Sequence, residues 1–375
     1  MKKKILFVNS QCLQRGGIQS VVMSIVRGLS KEFTFDILVF SDEKGWYDEE
    51  FLSYGGKIIR LVNYEGNNTF RRRLDLYIRW MKNYSRVKKV IMENGPYDAI
   101  HANVAFEAGY VLKAAFDNKI PVRLVHTHVI TNIPPKKIIM RCYSFFELKL
   151  IKKYATKLIG CTQEACESMF GKNGNWTLMR NPYDERRFDS RRFQNISEFK
   201  SPVLIHIASY SSNKNQLFTV DILKHLVREY PNAKLLLEGY ELEPGYLSLI
   251  KEKVKIEGLQ KNIFFYPPDA DSPALLNSST YFIFPSKFEG FGIAPVEAQA
   301  MGLRCFISDS VPHLSDCGGC TFLPLKDGAE MWAKTLAADF EKTRGKHSAY
   351  DCSRFSTENI LDDYRKIYNH SGMKK

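Results

Sequence analysis

Two successive series of short, unbroken apolar runs, each separated by helical stretches, constrain this chain more than any other feature. The first series runs Ile5–Val8, Phe35–Phe40, Lys57–Val62, Asp98–His101, Val122–His126 and Lys157–Gly160, with helices expected at Ile18–Leu29 and Phe70–Ile91. The second runs Val203–Ala208, Lys234–Glu238, Ile263–Tyr266, Tyr281–Pro285 and Cys305–Ser308, with helices expected at Gln216–Glu229 and Leu242–Glu257. Strands of continuous Val, Ile, Leu and Phe alternating with helices belong to parallel sheets covered on both faces. The expectation is an α/β chain of two doubly wound, Rossmann-like domains facing across a cleft. A length of 375 residues suits two domains, and 44% apolar residues suffice for two cores. The polar stretch around Pro182 and Pro202 reads as the linker. The boundaries expected are 1–182 for the first domain, 183–200 for the linker and 201–355 for the second, with helix 356–375 packing back on the first.

Charge and cysteine usage narrow the classes. A net charge of +13 favours anionic partners. Nucleic acid is disfavoured, because only charge speaks for it. The opening MKKKILFVNSQ holds too short an apolar run for a signal peptide and reads as a first strand. The eight cysteines are scattered, several in apolar contexts such as Cys142, Cys161 and Cys305. That pattern fits reduced thiols in a cytoplasm. Cys317-Gly-Gly-Cys320 has no second pair to complete a zinc site, so neither a metal nor a cofactor is expected.

In open parallel sheets, ligands gather beyond the carboxyl ends of the strands, and the unusual residues of this chain cluster there. Gly16-Gly17 follows the first strand and precedes a helix, where backbone can approach an anion. The spacing is not that of a dinucleotide fingerprint. Val125-His-Thr-His-Val129 ends another run. Its two histidines are expected on opposite faces and so not to share a metal, with His128 the one able to reach a ligand. In the second domain, Ala208-Ser209 ends a strand and Lys214 stands at the following helix start, unfavourable for the helix dipole unless an anion binds. Glu289-Gly290-Phe291-Gly292-Ile293 follows the Tyr281–Ser286 strand end. Pro295 suits a first helical turn, and Glu297 is expected within it, where a carboxylate would complement the dipole. Glu289 has no such structural reason to be there.

Taken in order, Gly16-Gly17, His128, Asn181-Pro-Tyr-Asp184, Lys214-Asn215 and the pair Glu289 and Glu297 resemble the retaining glycosyltransferases of family 4, of the GT-B fold. Glu297-Ala-Gln-Ala-Met-Gly-Leu303 with Ser308-Asp309 is most similar to the exopolysaccharide and capsular-polysaccharide branch. The resemblance implies a metal-independent hexosyltransferase. It would take a nucleotide-diphospho-sugar, UDP being favoured, and pass the sugar to a saccharide or lipid-linked saccharide acceptor. Glu289 would contact the donor sugar, and the amides of Phe291, Gly292 and Ile293 would meet sugar and phosphates. Glu297 would hold the ribose and Lys214 the leaving diphosphate. His128 would line the reaction centre. One departure stands out. The family's Gly-Arg at this strand end is replaced by Ala208-Ser209, leaving Arg15 or Arg180 as candidates for the second cation. The departure also supports a different reading, a weakly catalytic paralogue that partners another glycosyltransferase. An epimerase or phosphorylase of the same fold is the third reading, without a pyridoxal lysine to support it.

Phe70–Val90 places apolar residues at 70, 74, 77, 81, 84 and 87, a helical stripe, with Arg71, Arg72, Arg73, Arg79, Lys82, Arg86 and Lys89 largely off it. Trp80 is expected to project from the stripe as well. Such a face suits weak attachment to anionic lipid, on the inner side of a plasma membrane.

Overall fold

The computed structural model describes residues 2–62, 72–130, 138–193 and 199–370, with backbone alone at 72–77 and 138–139. It divides into two compact units, residues 1–182 with 357–375, and residues 183–356. Residues 183–193 and 199–200, read as linker, thus belong to the second unit.

The first unit alternates β1 (Lys3–Asn9), α1 (Gly17–Leu29), β2 (Phe33–Val39), α2 (Asp48–Ser53), β3 (Ile58–Arg60), α3 (Arg72–Asn94), β4 (Ala99–Asn103) and α4 (Ala108–Asp117). It continues with β5 (Val122–Thr127), α5 (Ile138–Tyr154), β6 (Lys157–Gly160), α6 (Gln163–Phe170) and β7 (Trp176–Leu178). All strands pair parallel, in the order β3-β2-β1-β4-β5-β6-β7. Each sheet face carries its own core. Phe7, Phe35 and Ile37 face α1, and Leu6, Val8 and Leu38 share the other core with α3 and α4. The order reverses between β1 and β4, so a crevice opens at their carboxyl ends.

The second unit runs β8 (Val203–Ile207), α7 (Gln216–Leu226), β9 (Lys234–Glu238), α8 (Tyr246–Ile256), β10 (Ile263–Tyr266) and α9 (Ser272–Asn277). There follow β11 (Tyr281–Phe284), α10 (Ile293–Ala300), β12 (Arg304–Ser308), β13 (Cys320–Leu323) and α11 (Gly328–Thr343). Its sheet is also parallel, in the order β10-β9-β8-β11-β12-β13, and reverses between β8 and β11. The chain then re-enters the first unit as α12 (Thr357–Asn369), whose Ile360, Leu361, Tyr364 and Tyr368 complete that unit's core beside α1. Two parallel-sheet Rossmann-like units are the observed architecture.

Several expectations need correction. Trp80 does not project. It is buried, stacked on Tyr84 at 5.3 Å and meeting Phe146 edge-on, while Met81 of the expected stripe is exposed. Trp80, Val87 and Ile91 are buried and Tyr84 is partly buried, so Tyr84 and Val87 keep their expected place while Trp80 takes the place expected of Met81. An indole carries more apolar area than a Met side chain, and burying it sets the rotation of the helix. Phe70 and Arg71, and the side chains of Arg72, Arg73, Leu74 and Tyr77, lie outside the described residues. Helix α8 begins at Tyr246 rather than Leu242, because Gly245 at φ 84° holds a turn that a helix cannot contain. Cys142 is exposed, whereas Cys161 and Cys305 are buried. No helix among the described residues is long and apolar enough to cross a membrane.

Candidate functional site

Residues of the second unit converge from both sides of its β8/β11 reversal. The loop after β8 passes Ser209 and reaches Lys214, and Asn215 enters α7 in the left-handed conformation at φ 62°. The loop after β11 carries Glu289. Three side-chain and backbone bonds fasten the loops together. Asn213 Nδ2 donates to the Phe288 carbonyl at 3.1 Å, Asn215 Nδ2 to the Pro285 carbonyl at 3.2 Å, and the Lys287 amide to the Asn213 carbonyl at 2.9 Å. Under this clasp Lys214 Nζ donates to Glu289 Oε1, joining residues 75 positions apart. The ammonium also sits 5.2 Å over the Phe284 ring. Glu289 is 9% exposed, so its pairing with Lys214 is what allows a carboxylate there. The structure thus supplies the partner that local sequence did not.

Around this pair several buried polar atoms have no partner among the described residues: Asn213 Oδ1, Gln216 Oε1, His206 Nε2 and Ser286 Oγ. Buried polar groups are usually satisfied, so a cluster of exceptions marks a place suited to a polar ligand. Ser209, where the resemblance calls for arginine, is half-buried, and its carbonyl accepts from Gln216 Nε2 at 2.9 Å.

Helix α10 starts at Ile293, with Gly292 before it at φ 80°, a conformation that favours glycine. Gly290 and Phe291 are buried, and Phe291 packs edge-on against Phe355 at 5.4 Å. The first amides of the helix have no intrahelical acceptor. Glu297 is therefore not in the first turn, as expected from Pro295, but in the second, because the helix begins two residues before the proline. A second-turn carboxylate is too far along to serve the dipole or a cap. Burial pushes its carboxyl up to about 7, with the Arg187 guanidinium opposing and Glu238 and Asp184 adding to the rise. Arg187 Nη2 donates to Ser272 Oγ at 3.2 Å, and Ser272 Oγ donates to buried Glu238 at 2.6 Å. Asp184 shapes the turn that presents Arg187, accepting the amides of Arg186 and Arg187 at 3.2 Å each. Sequence reading missed Arg187 because it lies in the stretch taken for linker. Its signal was Asp184 three residues earlier, a turn-forming carboxylate.

In the first unit, the β1/β4 reversal brings Asn9 and Asn103 into register, and Asn103 Nδ2 donates to Asn9 Oδ1 at 3.0 Å. That fixes the Asn103 amide, so its Oδ1 accepts from His128 Nε2 at 2.9 Å and leaves His128 Nδ1 as an acceptor. His126 and His128 lie on one side with ring centroids 3.8 Å apart, correcting the expectation of opposite faces. Side chains alternate along a strand, so positions i and i+2 share a face. His126 Nδ1 meets His101 Nε2 at 3.2 Å, and His101 Nδ1 meets Tyr368 Oη at 2.8 Å. Burial holds all three imidazoles neutral, His101 and His128 depressed to about 3 and His126 well below its ordinary value, with Asn181 beside His128 opposing its shift. Gly16 caps α1 without a side chain, and Gly17 opens the helix exposed, with open space where a Cβ would stand. Arg15 stacks over Trp46 at 4.6 Å, and Arg180 is exposed. Among the described residues no cluster of three or more His, Cys, Asp or Glu is arranged to hold a metal ion.

Residues 188–317 match the family described as glycosyl transferases group 1. Over 353 residues the chain is 29% identical to EpsF of Bacillus subtilis, named as a glycosyltransferase, covering 90% of this chain and 87% of that one. It is 24% identical to the capsular polysaccharide biosynthesis glycosyltransferase CapH of Staphylococcus aureus, covering 97% and 98%. In fold it is similar to Anabaena HepE, solved in complex with UDP and glucose, with a TM-score of 0.73 at 18% identity over 97% of this chain and 98% of that one.

Proposed function

We propose that the protein is a retaining, metal-independent hexosyltransferase of exopolysaccharide or capsule assembly, using a nucleotide-diphospho-sugar, UDP-sugar by preference. The observation that carries the reading is the Lys214–Glu289 pair, formed where the two loops meet at the β8/β11 reversal. A leaving diphosphate needs fixed positive charge and N–H donors, and both are strongest where water is scarce. Lys214 supplies the charge, and the amides of Phe291, Gly292 and Ile293 at the start of α10 supply the donors. Glu289 exchanges part of its bond to Lys214 for the hydroxyls of the donor sugar. Glu297 binds the ribose hydroxyls. Arg187, held beside it through Ser272, is the candidate for the cation that Ser209 does not provide.

The first unit takes the acceptor, a saccharide or a lipid-linked saccharide. Neutral His128 offers Nδ1 to a substrate hydroxyl. Exposed Ile78, Met81, Phe145 and Phe146, interspersed with Lys82, Arg86, Arg141 and Lys149 on α3 and α5, suit a peripheral contact with anionic lipid on the cytoplasmic side.

Incubation with a panel of UDP-, GDP- and ADP-sugars and polyprenyl-diphosphate saccharides tests the reading. Product of retained anomeric configuration supports it, measured by NMR. Neither transfer nor stabilisation by UDP, GDP or ADP overturns it in favour of the second reading, a partner subunit of another glycosyltransferase, which Ser209 supports.

A further inference from the structure

A cavity of about 930 Å³ opens at the other end of the first unit's sheet. Val122 and Lys157, the first residues of β5 and β6, line it, together with the end of α5, the α6–β7 loop and the end of α12. Strand β5 is six residues long, so about 20 Å separate this edge from the His128 end. Lys152, Lys157, Lys172 and Lys366 line the cavity with His370, and no acidic residue does. Its floor is apolar, including Leu158, Phe170 and Ile367.

Lysines near helix ends often serve only the carbonyls there. Here those carbonyls already have donors. Arg123 Nε bonds the Tyr154 carbonyl ending α5 at 2.7 Å, and Lys3 Nζ bonds the Tyr368 and Asn369 carbonyls ending α12 at 3.2 and 3.1 Å. Lys366 has an exposed contact with Asp363 at 3.4 Å, while Lys152, Lys157 and Lys172 form no ion pair among the described residues. Lys157 opens a strand, so no helix dipole accounts for it. The lining has ammonium groups and no guanidinium. Lysine binds phosphate as a point charge, and four ammonium groups with no acidic residue in the lining suit a multiply charged anion.

We propose that this cavity is a second binding site, for an organic phosphate whose charged group meets the lysines and whose apolar or ring face lies on Leu158, Phe170 and Ile367. The site is independent of glycosyl transfer.

Calorimetric titration with inorganic pyrophosphate at low ionic strength, using the full chain, tests it. Binding persists in Lys214→Ala, where the diphosphate-holding lysine of the second unit is gone, and falls by about tenfold or more when Lys157→Glu/Lys172→Glu is added to that background. Mass-spectrometric footprinting of the unmutated protein, by lysine acetylation, gives a second measurement that does not depend on the variant folding. Pyrophosphate shields Lys152, Lys157 and Lys172. Absence of that shielding, or loss of all binding in Lys214→Ala, overturns the proposal. Glucose 1-phosphate and dihexanoyl phosphatidic acid separate a soluble source from a lipid one. Tighter binding of either than of pyrophosphate supports the site, and tighter binding of neither overturns it.

Discussion

Glu289 and Glu297 sit eight positions apart in one short stretch, and the structure gives them different electrostatics. Glu289 is paired with Lys214, whereas burial raises the Glu297 carboxyl to about 7. Glu289→Ala should abolish turnover and leave nucleotide binding within a few-fold, while Glu297→Ala should weaken nucleotide binding; titration with UDP measures both. Equal nucleotide affinity in Glu297→Ala and the parent chain would remove its ribose role. A third carboxyl makes a stability prediction. Glu147 on α5 is fully buried, lying over Gly109 beside Tyr143 and Trp80, and burial raises its carboxyl to about 8. The unfolded value is about 4.3. The folded value is the higher one, so the stabilisation is complete below the unfolded value and is lost as pH rises through about 8. Glu147→Gln should therefore melt close to the parent at pH about 4 and several degrees above it at pH about 9, followed by circular dichroism.

At the scale of elements, α10 depends on its start and its anchor. Gly292 holds φ 80°, so Gly292→Ala should cost about 1 kcal/mol or more of stability, read from urea midpoints. Gln299, fully buried, donates to the Pro295 and Ser315 carbonyls at 2.9 Å each and accepts from the Cys317 and Gly319 amides. These bonds fix the helix that presents Glu297. On α3, the buried indole separates two roles that the sequence alone merged. Trp80→Ala should cost roughly 3–5 kcal/mol as a core deletion. Phe145→Ser, at a side chain 61% exposed, should instead leave stability nearly unchanged and reduce co-sedimentation with anionic vesicles at low salt. Equal sedimentation of that variant and the parent would exclude Phe145 from any lipid contact.

For the whole molecule, the decisive feature is the return of the chain. Helix α12 leaves the second unit's residues behind and places Tyr364 and Tyr368 in the first unit's core, Tyr368 bonding His101. A chain ending at Ser356 should lose cooperative unfolding of the first unit while the second still melts, a separation visible by calorimetry. Retention of both transitions would show that α12 is dispensable for that core.

The alternation of apolar runs with helices determined the two parallel-sheet units, because a strand apolar on both faces must be covered on both. Glu289 and Lys214 were legible as candidates for the same local reason, each being a residue its backbone position did not require. Distance hid the rest. Nothing near Glu289 in sequence announces Lys214 as its ion-pair partner, and nothing near Arg187 announces Ser272, Glu238 or Glu297. The rotation of α3 and the shared face of His126 and His128 were settled by burial and strand alternation. Tertiary structure decided these because ion pairing, desolvation and packing depend on which side chains meet in space, and the parallel crossovers bring together residues that the sequence keeps apart.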